Sequence, residues 1–153
     1  MHNIRLAKTS EAEKLTNLAI RSEAYWGYND VFMDKFKEIY KVTEHFIDNN
    51  PTFVICENDE VIGFYAIIIS KEKNELEYFY IEPQLIGKGY GQALWNHLID
   101  YCKGLKIKDI QLVTSPQAKE FYQRMGAVQI GEVQSLLQKG RIIPKLRYQF
   151  WGS

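Results

Sequence analysis

Residues Tyr80-Ile81-Glu82-Pro83-Gln84-Leu85-Ile86-Gly87-Lys88-Gly89-Tyr90-Gly91 run from an apolar segment through a proline into three alternating glycines, and an amphipathic stretch follows at once. That order demands a strand, a tight turn and a helix N-terminus in succession. The first amides of a helix have no intrahelical acceptor, the helix dipole favours negative charge beside them, and glycines let a ligand come close to the backbone. The segment therefore describes a place to hold a pyrophosphate. A dinucleotide fingerprint G-x-G-x-x-G counted from Gly87 and Gly89 needs a glycine where Gln92 stands, and a P-loop needs Ser or Thr where Gly89 follows Lys88. Both common nucleotide readings fail on spacing.

Hydrophobic periodicity places this junction in a wider order of elements. Ile4, Leu6 and Ala7 predict a short strand, and Ser10 with Glu13 reads as a capping box ahead of Leu15, Leu18 and Ala19, a helix ending near Arg21. A second helix is expected after Asn29-Asp30, with Val31, Phe32, Phe36, Ile39 and Tyr40 on a stripe that continues through Val42, Phe46 and Ile47 to Asn49-Asn50-Pro51. Thr52 to Cys56, Val61 to Ile69 and Glu75 to Ile81 are β-branched and aromatic runs divided by polar turns, which predicts a three-stranded meander. After the glycines comes a helix from Tyr90 to Cys102, closed by Gly104. Ile110, Leu112 and Val113 then predict a buried strand, and Ser115-Pro116 opens a helix with Ala118, Phe121, Tyr122 and Met125 inward and Gly126 at its end. Ala127 to Val133 and Pro144 to Phe150 supply two last strands, while Gln134 to Lys139 has no clear period. The sum is one α/β (α+β) domain over residues 1–153, a mixed, mostly antiparallel sheet of about seven strands flanked by four helices.

Composition narrows the partners. Nineteen Lys plus Arg balance nineteen Asp plus Glu, which leaves no electrostatic footprint for nucleic acid or an anionic membrane, so a small molecule is the expected partner. Cys56 and Cys102 are far apart and show no spacing for a metal or redox motif, so reduced core thiols and no metal are expected. Met1 to Leu6 lacks the apolar run of a signal peptide, and no stretch is long enough to span a bilayer; a cytoplasmic location follows as the expectation. High aromatic content and exposed late strands lead to the expectation of a homodimer.

Ile81-Glu82-Pro83 followed by Ile86-Gly87-Lys88-Gly89-Tyr90-Gly91 resembles the acetyl-CoA loop of the GNAT superfamily of N-acetyltransferases, Arg/Gln-x-x-Gly-x-Gly/Ala after an apolar-x-Pro step. Ile86 departs from the pattern at the position of the usual Arg or Gln. Ser115-Pro116-Gln117-Ala118-Lys119-Glu120-Phe121-Tyr122-Gln123-Arg124-Met125-Gly126-Ala127 is similar to a second segment of that family, with Ala118, Phe121, Tyr122 and Gly126 in register and Ser115 and Ala127 replacing Asn and Phe. The order of elements agrees over essentially the whole chain.

The resemblance implies acetyl-CoA as co-substrate, bound by Phe79, Ile81, Ile86, Gly87, Lys88, Gly89, Tyr90, Gly91 and Ser115. It makes Tyr122 the general acid for the leaving thiolate, and Ile81 the residue whose backbone holds the pantetheine arm and polarises the thioester carbonyl. An acidic residue of the same strand serves as base. Glu75, Glu77, Phe79 and Ile81 fall on one face by the two-residue period, and Glu77 is preferred over Glu75 as the closer to Ile81, with solvated surface charge as the bland alternative. Ser22-Glu23-Ala24-Tyr25-Trp26-Gly27-Tyr28 resembles an element of a GNAT subgroup, Ser-x-Ala-Tyr-Trp-Gly-Tyr, and Tyr25, Trp26 and Tyr28 are candidates for the acceptor wall or for a helix staple. Arg141, in the turn Lys139-Gly140-Arg141, is read as solvated, with contact to a substrate carboxylate as the alternative. The implied reaction is acetyl transfer to a primary amine of a small molecule in a ternary complex, because no convincing nucleophile is present. A protein N-acetyltransferase and a noncatalytic acyl-CoA sensor on the same fold remain the alternatives.

Overall fold

The computed structural model describes residues 2–150. Its strands are β1 His2–Leu6, β2 Thr52–Glu57, β3 Glu60–Ile69, β4 Asn74–Ile81, β5 Asp109–Val113, β6 Val128–Gln134 and β7 Ile142–Gln149. Its helices are α1 Ala12–Ala24, α2 Asp30–Ile39, α3 Glu44–Asn49, α4 Tyr90–Gly104 and α5 Lys119–Arg124. The strands form one sheet in the order β1-β2-β3-β4-β5-β7-β6, antiparallel throughout except between β4 and β5. Leu15 and Leu18 of α1 and Phe36 of α2 pack with Val54, Phe64 and Tyr78 on one face, while Leu94, Leu98 and Cys102 of α4 and Tyr122 of α5 pack with Ile55, Tyr65 and Ile67 on the other. Fully burying one such leucine contributes about 1.5–3 kcal/mol, so the two apolar layers hold the sheet from both sides.

Two sequence expectations are corrected near the N-terminal half. Five α-helices are present among the described residues instead of four, because the long second helix breaks after Ile39. Thr43 restarts it as an N-cap whose Oγ1 accepts from the Phe46 amide at 3.0 Å, and Thr16 Oγ1 both donates to the Val42 carbonyl and accepts from its amide at 3.0 Å. The Ser10–Glu13 capping box does not form either. A single 3-10 turn at Thr9–Glu11 precedes α1, and Glu11 is the buried carboxylate that accepts from the Lys8 amide at 2.8 Å and pairs with Arg5 at 2.9 Å.

The most consequential irregularity lies in β4. Ala66 of β3 faces Tyr78 and Ile67 faces Leu76, so Glu77 is an extra residue, a β-bulge. The alternation slips there. Phe79 and Ile81 share the α4 face with Leu76, and Tyr78 and Tyr80 take the α1 face, so the expected common face for Glu75, Glu77, Phe79 and Ile81 is broken at the bulge. On its other side β4 pairs with β5 at Glu75 and Gln111, and beyond that pair no further pairing joins the two strands among the described residues. A gap therefore opens inside the sheet along Glu77 to Ile81. Gly63 keeps β3 close to this segment: a Cβ there would lie 2.6 Å from Ile81 Cδ1 and 2.8 Å from the Tyr80 carbonyl oxygen. No helix among the described residues is long and apolar enough to cross a membrane.

Candidate active site

A cavity of about 530 Å³ occupies the gap between β4 and β5. It passes through the sheet, since Phe36, Tyr40 and Tyr80 from the α1 side and Phe79, Phe121 and Tyr122 from the α4 side all line it. Ile86, Gly87, Gly89 and Gly91 line it as well. Gly87 and Gly89 adopt φ of +85° and +91°, a region costly for other residues, and a Cβ on either would point into open space. Gly89 is the N-cap of α4 and offers no side chain to the first-turn amides, which leaves them for a ligand. The start of this loop is anchored by Glu82, which is buried. Its amide donates to the Ile62 carbonyl at 2.8 Å, and its carboxylate accepts from Arg21 Nε at 3.0 Å and pairs with the same guanidinium through Nη2.

Several expected cofactor residues sit in the cavity wall and two do not. Phe79, Ile81, Ile86, Gly87, Gly89, Gly91 and Ser115 line it. Lys88 is exposed outside it, and the Tyr90 side chain turns towards β2, where its hydroxyl donates to Glu57 at 3.0 Å and its ring meets His2 edge-on at 6.2 Å. Only the backbone of Tyr90 belongs to the helix start. Ser115 also caps the turn into α5, with its Oγ accepting from the Ala118 amide at 3.3 Å.

Tyr122 is buried among Phe79 and Trp95, each at 5.9 Å and edge-on, and Phe121 at 5.2 Å. Burial, and then the charge of Glu23, push its hydroxyl well above the usual phenol range. It stays protonated across the neutral range. Glu77 lines the cavity half-buried, and burial followed by neighbouring Glu75 raises its carboxyl above the ordinary range. Glu75 lies outside the cavity wall with Oε1 3.8 Å from Lys73 Nζ, because the bulge puts it on the face opposite to Phe79 and Ile81.

The expected acceptor residues divide in the same way. Trp26 lines the cavity, whereas Tyr25 is exposed and only props Trp26 edge-on at 5.1 Å. Tyr28 is absent from the wall and stacks on Phe32 at 3.9 Å; its hydroxyl donates to Gln117 Oε1 at 3.1 Å and accepts from Arg141 Nη2 at 2.9 Å. Arg141 is not solvated in a turn. It is half-buried against the rings of Tyr28 and Phe32, 4.9 and 5.0 Å from their centroids, and lines the cavity. Glu23, Tyr40 and Tyr80 were not among the sequence candidates. Burial raises the Glu23 carboxyl, while Arg141 and a 3.5 Å hydrogen bond from the Tyr80 hydroxyl oppose the rise. The missed signal is helix length: α1 continues past Arg21 to Ala24, which carries Ser22 and Glu23 onto the cavity.

The sheet is parted between its parallel strands, and the uncapped start of α4 and the buried Tyr122 both face the parting. The model for the acetyltransferase (GNAT) family matches residues 14–127, and the chain belongs to that family. It is 28% identical over 128 residues to the peptidyl-lysine N-acetyltransferase YjaB of Salmonella typhimurium, covering 82% of this chain and 83% of that one. Its fold matches the PaiA N-acetyltransferase of Thermoplasma acidophilum in complex with coenzyme A, with a TM-score of 0.81 at 18% identity over 97% of this chain and 99% of that one. It also matches the ribosomal-protein-S18-alanine N-acetyltransferase of Escherichia coli, TM-score 0.76 at 13% identity over 100% and 96% of the two chains. At those identities the two structures speak for the fold.

Acetyltransferases of this family use acetyl-CoA. The residues present fit it: the left-handed glycines leave helix amides without a side-chain cap open to an anion, and among the described residues the β4 edge beside the gap has no strand partner beyond Glu75, which leaves backbone groups for an extended amide arm.

Proposed function

We propose that the chain is an acetyl-CoA-dependent N-acetyltransferase that acetylates a primary amine of a small molecule in a ternary complex. One observation carries the choice of acceptor. The hydrogen bonds from Arg141 to Tyr28 and from Tyr28 to Gln117 tie together the α1–α2, β6–β7 and β5–α5 connections beside the cavity that Arg141 and Gln117 line, which favours an acceptor small enough to enter without parting them. In this reading acetyl-CoA supplies the activated thioester. The amides of Gly87 to Gly91 hold its pyrophosphate, and the backbone of Ile81 orients the arm and polarises the carbonyl. Glu77 takes the proton of the acceptor ammonium, directly or through water, and Tyr122 gives a proton to the departing thiolate. Direct transfer is favoured because both thiols are buried and neither lines the cavity; burial pushes Cys102 up to about 12, so it stays an inert thiol.

The 28% identity with a peptidyl-lysine acetyltransferase supports a second reading, in which the acceptor is a protein lysine. Coenzyme A release measured with small primary amines and with lysine-containing peptides separates the two. Small amines as the better acceptors support the first reading, and turnover confined to peptides overturns it.

A further inference from the structure

Beside Glu77, the cavity holds two opposite charges, Arg141 and Glu23, that are not joined in an ion pair. Arg141 carries five N–H donors and uses one, the Nη2 contact to Tyr28 at 2.9 Å; among the described residues no carboxylate lies within ion-pair distance of it. Its guanidinium is nevertheless fixed, wedged on the faces of Tyr28 and Phe32. Glu23 accepts one hydrogen bond, at the outer limit of 3.5 Å, from Tyr80. The two groups line the same cavity and feel each other electrostatically, yet form no ion pair. Partly buried charges without partners are costly, and each is relieved by a ligand group of the opposite sign.

From this juxtaposition we infer that the acceptor is a zwitterion of amino-acid type, its carboxylate held by Arg141 and its ammonium by Glu23. The inference rests on the acetyl-transfer reading of the cavity and narrows its substrate. A simple alkylamine satisfies Glu23 and leaves Arg141 unmatched. A lysine side chain in a peptide does the same, because no carboxylate accompanies its ammonium. Coenzyme A phosphates are the other available anions. Arg141, however, is seated on Tyr28 and Phe32 of the α1 side, whereas the glycine-bearing start of α4 belongs to a helix packed on the opposite face.

The test compares common L-amino acids, their carboxamides and the corresponding decarboxylated amines as acceptors, by coenzyme A release, with the wild-type protein and with Arg141→Gln and Arg141→Lys. At least one amino acid is expected to exceed its carboxamide about tenfold in kcat/KM, the size of one charge-assisted contact. Arg141→Gln should bring that ratio to about one, Arg141→Lys should restore part of it, and acetyl-CoA affinity should stay within about twofold, since the contact is to the acceptor. Equal use of acids and carboxamides by the wild-type protein overturns the inference without any variant, as does a preference that survives Arg141→Gln. Calorimetry of the same amino acids with the coenzyme A-loaded protein keeps the two readings apart. Binding that weakens about tenfold in Arg141→Gln, with no amine turned over, upholds the zwitterion subsite and sinks acetyl transfer. Absence of both binding and turnover with every amino acid sinks the subsite, even where other amines are acetylated.

Discussion

Tyr122→Phe removes one oxygen from the buried floor of the site. The ring stays, and with it the edge-on contacts to Phe79, Trp95 and Phe121 at 5.9, 5.9 and 5.2 Å. The hydroxyl makes no hydrogen bond to another side chain among the described residues, so its loss should change stability by less than about 0.5 kcal/mol, below the worth of an ordinary hydrogen bond. Its chemical role is larger. A positioned proton donor contributes about 10²–10⁴-fold, which corresponds to about 3–5 kcal/mol at 1.36 kcal/mol per tenfold. Because burial and Glu23 keep the hydroxyl protonated, this loss should be the same across the neutral pH range. Steady-state coenzyme A release gives turnover, calorimetry gives the acetyl-CoA Kd, and a melt checks the fold. The expected result is a turnover loss of at least about 100-fold with Kd within about twofold. Turnover within about threefold of wild type would refute the reasoning and reduce Tyr122 to packing.

Glu77→Gln should slow the reaction and erase the acid limb of kcat/KM. In the wild type that limb lies above the ordinary carboxyl value of 4.5, since burial raises Glu77 and the base is lost as pH falls through the raised value; a limb that persists in the variant reassigns the base. Glu11→Gln should cost about 1–2 kcal/mol near neutral pH, a figure reduced from the full shift because the Arg5 guanidinium is one-third exposed. Hydrogen bonds from Arg5 lead the causes that hold Glu11 at about 2, so this stability is present above pH 4.5 and is lost as pH falls towards 2; a wild-type-to-variant difference in urea melts that does not shrink over that window contradicts the assignment. Ile86→Arg should tighten acetyl-CoA binding severalfold by adding a cation beside the helix start, and an unchanged Kd rejects the idea that Ile86 costs a phosphate contact.

The elements legible in the sequence are those set by local pattern. The β2–β3–β4 meander and the glycine junction depend on neighbours within a few residues and stand where periodicity put them, whereas the Phe121-Tyr122 helix is shorter than Ser115-Pro116 predicts, a turn at 116–118 leading into Lys119–Arg124. The Glu77 bulge was not legible, because Tyr78 to Ile81 is aromatic or apolar at every position and marks no face, and the extra residue appears only in the pairing with β3. It decides which glutamate enters the cavity. The break between α2 and α3 likewise depends on Thr16 reaching Val42, and Arg141 meets Tyr28 across 113 residues. No short window contains such contacts, so Arg141 read as a turn residue and Glu23 as a residue past the end of its helix.

Coenzyme A release from acetyl-CoA, followed for a panel of small primary amines and amino acids against lysine-containing peptides, tests acetyl transfer within the β4–β5 gap most directly. At least one small amine should be acetylated well above the rate of acetyl-CoA hydrolysis and faster than any peptide. Tight acetyl-CoA binding with no small amine acetylated would contradict the claim and leave a peptide acetyltransferase or an acyl-CoA sensor on this fold.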